Sequence, residues 1–403
     1  MGRCSSGGMQ DAGDGTPPAR TLPSWAHVTK IQSIGEVTMF QNLEIRNFRL
    51  FEHLKMEKLG RINLLAGCNN SGKTTFLETL FLLSGAGNPQ LISTINALRG
   101  FQGFGEAATI EAVQETAFKP LFYQFDSNKC INITGHYNSV GPVELTIRFE
   151  RKTTIELSLK EGLPGSPFVE QLDRLWLSPK TENILSDTLH LLHKSPEVIH
   201  TAHLRFSNDG IQLDNSPDNN PFTAATFIHA RGGNPSRDAT RLGNLRRRKQ
   251  GELLVDALKI MEPRLQALEE NSVAGYPMIW GDIGLPELVP LSMMGEGMTR
   301  IARILLGISY VADGLILIDE IENGIHYSVL EKVWSAIADA AERAQVQVFA
   351  TTHSFECMEA AHKALGEKLM FHRIEEDREG RKRCVTLEAE GLAAAIHHGF
   401  EVR

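Results

Sequence analysis

Several short stretches of this chain carry residue types whose spacing suits phosphate chemistry. The first is Gly67-Cys68-Asn69-Asn70-Ser71-Gly72-Lys73-Thr74, followed by Thr75. It fits the pattern G-x-x-x-x-G-K-[ST] without a gap, after an apolar run and before a helical pattern. Glycines in such a loop let backbone N–H groups wrap a phosphate, and the helix start adds a partial positive charge. Lys73 would reach the outer phosphates, and the Thr74 hydroxyl would sit on Mg²⁺. The second stretch, Leu315-Ile316-Leu317-Ile318-Asp319-Glu320, reads as a buried strand that delivers two acids at its C-terminal end. Asp319 suits a Mg²⁺ shell, and Glu320 suits a base that orients and polarises water. The third, Leu291-Ser292-Met293-Met294-Gly295-Glu296-Gly297, places a serine and two glycines before a helix, again offering backbone donors to a phosphate. In the fourth, Val348-Phe349-Ala350-Thr351-Thr352-His353-Ser354, an apolar strand ends at a histidine.

Such residues need strands and helices to hold them. Phe40 to Phe48 alternates as a strand, Ile62 to Ala66 is a second strand, and Thr74 to Leu83 has the apolar period of a helix. Cys130 to Thr134, Val143 to Phe149 and Thr153 to Leu159 read as short strands, with loops at Asn208-Asp209-Gly210 and Asp214 to Pro221. Glu252 to Leu268 is expected to be helical, with Pro263 as a kink. From Leu285 strands and helices alternate: helix Met298 to Val311, strand Leu315 to Ile318, helix Tyr327 to Arg343, strand Val346 to Ala350 and a terminal hairpin. That alternation predicts a mostly parallel sheet covered by helices. Residues 1–38, rich in Gly, Ser, Asp and Pro at their start, read as a disordered tail. Sustained heptads and internal repeats are absent.

Composition narrows the class. The chain has 403 residues, 42% hydrophobic and 22% charged, which is ordinary for a globular protein. Lys plus Arg total 41 against 49 Asp plus Glu, a net charge of −8, so a generally basic coat for nucleic acid is excluded. Apolar runs are far shorter than the ~20 residues a membrane-spanning helix needs. The 5 cysteines are scattered without paired spacing, which suits a reducing interior, and a cytoplasmic location is expected. Two clusters leave alternatives open. Arg241, Arg246, Arg247, Arg248 and Lys249 could contact nucleic-acid phosphates or form a solvated face. His190, His193, His200 and His203 have a spacing that invites a metal, without the cysteines or carboxylates that would complete a site.

Taken together, the four motifs resemble the ABC-type ATPase heads, the class of RecF, the SMC proteins and the OLD-family ATPases. The motifs that carry the resemblance lie in residues 39–84 and 285–403. The third motif departs from the commonest signature wording, LSGGQ, and is similar to the OLD-like variants. The resemblance implies an α/β fold: a P-loop NTPase head of the ABC type built from 39–84 and 285–403. An inserted lobe, partly of β-hairpins with a helical arm, would occupy 85–284.

It further implies that ATP and Mg²⁺ are bound by Gly67, Asn69, Asn70, Ser71, Gly72, Lys73, Thr74, Thr75 and Asp319. Glu320 would be the base and His353 the sensor of the γ-phosphate. Ser292, Gly295 and Gly297 of one subunit would complete the site of another, making a homodimer. Glu322-Asn323-Gly324-Ile325-His326 resembles the loop where such subunits meet, and Gln124 is a candidate for the glutamine loop, if it does not lie in an ordinary strand. Only 50 residues follow His353, so the nuclease domain of many OLD-family members is not expected. The implied role is an ATP-driven switch, the ATPase subunit of a prokaryotic anti-phage defence system acting with a separate effector. Alternatives are a RecF-like repair ATPase clamping DNA, and a slowly hydrolysing ATP-dependent scaffold.

Overall fold

Two large β-sheets of different character organise the molecule. The computed structural model describes residues 39–101, 115, 118–138, 140–151, 187–207, 210–215, 222–230 and 232–397. The tail at 1–38 and the strand expected at Thr153 to Leu159 lie outside the described residues. The chain opens with β1 (Phe40–Phe48), β2 (Phe51–Met56), β3 (Ile62–Ala66), α1 (Lys73–Ser84) and α2 (Gln90–Leu98). Next come β4 (Ile131–Tyr137), β5 (Gly141–Arg151), β6 (Asp187–Lys194), β7 (Ile199–Ser207), β8 (Gly210–Asn215) and β9 (Ala225–Ile228). Helices α3 (Pro235–Arg247) and α4 (Gly251–Leu258) precede β10 (Ala267–Val273), β11 (Tyr276–Asp282) and β12 (Val289–Pro290). The last part holds α5 (Glu296–Tyr310), β13 (Leu315–Ile318), α6 (Leu330–Ala344), β14 (Gln347–Thr351), α7 (Phe355–Leu365), β15 (Leu369–Glu376), β16 (Lys382–Leu387) and α8 (Ala389–His397).

The central sheet has the order β16-β15-β3-β14-β13-β9 and is parallel except for β16. Strands β3, β13 and β14 are buried at every residue. That is the pattern of a parallel sheet covered on both faces, and it explains why these segments read as largely apolar, with Asn63, Gln347 and Thr351 as their buried polar members. Alternate side chains serve different cores. Leu64, Ile316, Ile318 and Val348 join the helices α3 to α7 on one face, while Leu65, Leu315, Leu317 and Phe349 join α1 and the second sheet on the other.

The second sheet is antiparallel, in the order β2-β1-β4-β5-β6-β7-β8. Its strands alternate buried with solvated positions, as in β4, where Ile131, Ile133 and Tyr137 point inward. Helix α1 lies between the two sheets, so Phe76, Leu77, Leu80 and Leu83 are fully buried and it lacks a polar stripe.

Three features differ from the sequence expectations. The antiparallel sheet pairs Phe40–Met56 with strands from the region expected to be an inserted lobe, through contacts such as Ile45↔Ile133. Strand β9, from the same region, is the edge of the parallel sheet beside β13. The helix expected from Glu252 to Leu268 ends at Leu258. Pro263 cannot supply the N–H that a helix interior requires, and the chain turns through Glu262 before β10. Leu265 and Leu268 still reach the same core, from a turn and a strand.

Candidate nucleotide site

In an open α/β sheet ligands gather at the C-terminal ends of the strands, and the motifs converge there. Between β3 and α1 the loop turns at Gly67, with φ 150°, and at Gly72, with φ 105°. Both glycines are required: a Cβ on Gly67 would stand 2.5 Å from the Ile374 carbonyl oxygen, and one on Gly72 would stand 2.6 Å from the Phe51 ring. Asn70 also adopts a left-handed backbone, φ 63°, which asparagine tolerates better than most residues. Residues Cys68, Asn69 and Asn70 face solvent, whereas Ser71 is buried and its Oγ lacks a hydrogen-bond partner. Buried hydroxyls rarely go unpaired, and an orphan beside a helix start with free backbone donors fits a phosphate oxygen.

Lys73 lies back over this loop, its Nζ donating to the carbonyls of Gly67 at 2.7 Å and Cys68 at 3.0 Å. Burial lowers the pKa of its ammonium, and the Asp319 and Glu320 carboxylates oppose that shift. Thr74 Oγ1 donates to Asp319, 3.0 Å from Oδ1 and 3.1 Å from Oδ2. A hydroxyl and a carboxylate side by side form the hard oxygen set that Mg²⁺ uses when phosphates complete its shell. Thr75 is buried, its hydroxyl accepting from Arg99 at 3.2 Å. Arg99 also pairs with the buried Glu78, which Arg49 binds from its other side.

Glu320 leaves the end of β13 with a left-handed backbone, φ 49°. For a non-glycine residue that costs about 1–3 kcal/mol, so neighbouring groups must hold it. Thr351, at the end of β14, is one of them: its Oγ1 accepts from Glu320 N and donates to Asp319 Oδ1, both at 2.8 Å. Arg300 is another, donating from α5 to the Asp319 carbonyl at 2.5 Å and the Glu320 carbonyl at 2.9 Å. His353, half-exposed, is anchored by Glu322, whose Oε1 accepts from His353 N at 2.9 Å and lies 3.1 Å from Nδ1. Thus the phosphate loop, both acids and the histidine are gathered by hydrogen bonds across three adjacent strands.

The signature residues are placed differently. Ser292 is exposed in a short turn, Leu291–Met294, that packs on β11 and β12, and Met293 in the same turn is 78% exposed. Gly295, with φ 111°, starts α5. Gly297 packs on the loop after Glu320, where a Cβ would stand 2.5 Å from the Gly324 carbonyl oxygen. Within one chain this turn therefore touches the back of the Glu320–His326 loop and leaves Ser292 open to solvent.

The remaining candidates separate from the site. Gln124 lies in an exposed turn, not a strand, with φ 52° and a hydrogen bond to Tyr123 Oη at 3.3 Å. Arg241 is buried, with its guanidinium 4.7 Å from the Tyr310 ring and donating to Thr226 Oγ1 at 3.2 Å. Arg246, Arg247, Arg248 and Lys249 are exposed where α3 ends, a position that favours cations. The four histidines pair across β6 and β7, His190 with His203 and His193 with His200. Among the described residues no group of three His, Cys, Asp or Glu is arranged to hold a metal. Also among them, no helix is long and apolar enough to cross a membrane.

The reading from sequence missed Arg300, and it named Thr351 and Glu322 only within their motifs, without the contacts to Asp319, Glu320 and His353 that they make here. Thr351 carried a faint signal, as a hydroxyl closing the apolar strand Val348-Phe349-Ala350. Arg300 carried another, a charge set among the apolar positions Met298, Ile301 and Ala302 of α5.

The geometry agrees with what the chain is similar to. It shares 26% identity over 355 residues with an “ATP/GTP phosphatase” of Helicobacter pylori, covering 83% of this chain and 90% of that protein. A RecF (“DNA replication and repair protein”) of Nitrosococcus oceani is 41% identical over 76 residues, which cover 18% of this chain and 20% of that one. Among solved structures, an SMC head bound to the C-winged helix domain of ScpA matches with a TM-score of 0.47 at 12% identity, over 88% of this chain and 99% of that one. The SMC head domain of Thermotoga maritima gives 0.39 at 12% identity, covering 87% and 99%. A family model described as “AAA ATPase domain” matches residues 39–223. With a second model matching residues 142–359 over the acids of the site, the chain belongs to the ATPase family described as “AAA domain, putative AbiEii toxin, Type IV TA system”.

Proposed function

We propose that this ATPase is a switch: two copies close on shared ATP and Mg²⁺, and hydrolysis lets them part. The observation that carries the reading is the convergence of the Lys73 loop, Thr74, Asp319 and Glu320, with Thr74 bonded to Asp319 and Thr351 tying Asp319 to Glu320. Backbone N–H groups of the loop and Lys73 bind the β- and γ-phosphates of the substrate. Thr74 and Asp319 would hold Mg²⁺, which when bound neutralises phosphate charge and keeps the outer phosphates in line. Glu320 takes the proton of the attacking water, and His353, steadied by Glu322, faces the γ-phosphate. Ser292 is open to solvent on a turn that packs on β11 and β12, and this supports its service, with Gly295, to a partner's nucleotide.

The wider role proposed is ATPase subunit of a prokaryotic defence system with a separate effector. The family description, which names a toxin of a Type IV toxin–antitoxin system, supports that direction. A second reading, a RecF-like clamp on DNA, is favoured by the exposed Arg246–Lys249 cluster and by the RecF similarity. One steady-state assay tests both. The wild type should hydrolyse ATP with Mg²⁺, and Lys73→Ala should lose both turnover and binding of a fluorescent ATP analogue. Wild-type binding by Lys73→Ala would contradict the site. Stimulation by duplex DNA, lost when Arg246, Arg247 and Arg248 are neutralised, would move the assignment to the repair reading.

A further inference from the structure

Arg300 is a buried cation in the second turn of α5, the helix that starts at the signature turn. It donates to four carbonyl oxygens at the ends of two neighbouring strands. Its Nη1 reaches His229 O at 2.6 Å and Ala230 O at 3.4 Å, beyond β9. Its Nη2 reaches Asp319 O at 2.5 Å and Glu320 O at 2.9 Å, beyond β13. Among the described residues no carboxylate oxygen is bonded to it, and its buried Nε has no hydrogen-bond partner. The carboxylates of Asp319, Glu320 and Glu322 balance its charge only at longer range, against the cost of burial and the nearby Arg303.

A buried guanidinium without a bonded counter-ion is an expensive way to fill space, because an apolar side chain of similar volume is often at least as stabilising. What an apolar residue could not do is bind these peptides. Glu320 is left-handed at φ 49°; its carbonyl accepts from Asn323 N at 3.0 Å within the following turn, and Arg300 is the side chain that ties it to α5. Thr351 holds the N–H of Glu320 from β14, and Arg300 holds its carbonyl from α5. Thr351 and Arg300 thus hold the N–H and the carbonyl of the Asp319–Glu320 peptide, while Arg300 joins the backbone donor Asn323 on the next carbonyl, and these contacts set the direction in which the Glu320 side chain leaves the backbone.

We infer that Arg300 is a positioning residue for Glu320: it suspends the Glu320 peptide from the signature helix, so that the seating of the Ser292–Gly297 turn sets where the carboxylate points. The inference rests on the reading of Glu320 as the base. It adds a path within one chain, from the exposed turn through four residues of helix to the reacting carboxylate. A partner engaging the turn thereby acts on the hydrolytic site of the chain that carries it.

Arg300→Lys keeps the charge but cannot bridge both strand ends, and Arg300→Gln guards against a variant lost to misfolding. Arg303→Lys is the control. It lies on the same helix, and Arg303 bonds to Asp238 at 2.9 Å and Gly232 O at 2.6 Å, away from Glu320. In steady-state ATPase assays Arg300→Lys should lower kcat at least tenfold, with KM for ATP within twofold of wild type. Arg303→Lys should keep kcat within twofold. Wild-type kcat in a folded Arg300 variant, a rise of KM in step with the loss, or an equal loss in Arg303→Lys would each overturn the inference. Glu320→Gln in the same assay separates the two levels. If it turns over like wild type, the reading of the base fails; if it is inactive while Arg300→Lys is normal, only the role of Arg300 fails.

Discussion

Asp319 is the residue on which the site turns, because its carboxylate accepts from Thr74 on one side and Thr351 on the other. Thr351 couples the two acids, since the same hydroxyl accepts from the N–H of Glu320. Removing it leaves the part-buried N–H of Glu320 without this acceptor, a loss of about 1–3 kcal/mol that falls on the backbone of the proposed base. Thr351→Val should therefore lower kcat by roughly ten- to a hundredfold and raise the Mg²⁺ concentration for half-maximal rate, whereas Thr351→Ser should stay near wild type. ATPase titrations with Mg²⁺ measure both, and an unimpaired Thr351→Val would remove Thr351 from the site. The residues legible in the sequence were those whose chemistry is written locally: a loop of glycines with its lysine, and two acids after an apolar strand. Thr351, Glu322 and Arg300 act through partners on other strands and helices, and a sequence pattern of period 2 or 3.6 does not encode such partners.

Among the elements, those buried on both faces were the easiest to foresee. Strand β13 is apolar throughout, and β14 and α1 are buried along nearly their whole length, because each lies between two layers. The end of α4 was misread because Leu265 and Leu268 keep the spacing of a helical face, while Pro263 breaks the backbone beneath them. Sheet interiors also hold groups with a cost that depends on pH. Burial lowers the pKa of His193 on β6 to about 4, with His200 adding to the effect, and burial lowers that of His372 on β15 to about 3. Both are depressed, so the unfolded chain binds protons that the folded chain refuses. Their contribution is complete above pH ~6.5 and is lost as pH falls toward these folded values, by up to about 1.4 kcal/mol per pH unit for each group. Melting temperature should thus be flat from pH 8 to 7 and fall between pH 6 and 4. His193→Phe should fall less steeply, and an unchanged pH profile in that variant would refute the assignment.

At the scale of the molecule, the parallel sheet followed from alternation of strands and helices, but the partition of the chain did not. Strand β1 pairs with β4 across a long separation and so joins β1 and β2 to the sheet of β4 to β8, and antiparallel register of that kind is settled by which faces become buried together. The outcome places α1 between two sheets, with the Leu291–Met294 turn packed on β11 and β12 and its Ser292 exposed. On the proposed reading, Ser292 and Gly295 of a second copy would complete the nucleotide site. Mass photometry of wild type and Glu320→Gln, with and without ATP and Mg²⁺, tests it most directly. Particles of twice the monomer mass should form only with ATP and Mg²⁺ and persist longer in Glu320→Gln. An assembly of the same size with and without nucleotide in both proteins would contradict the shared site.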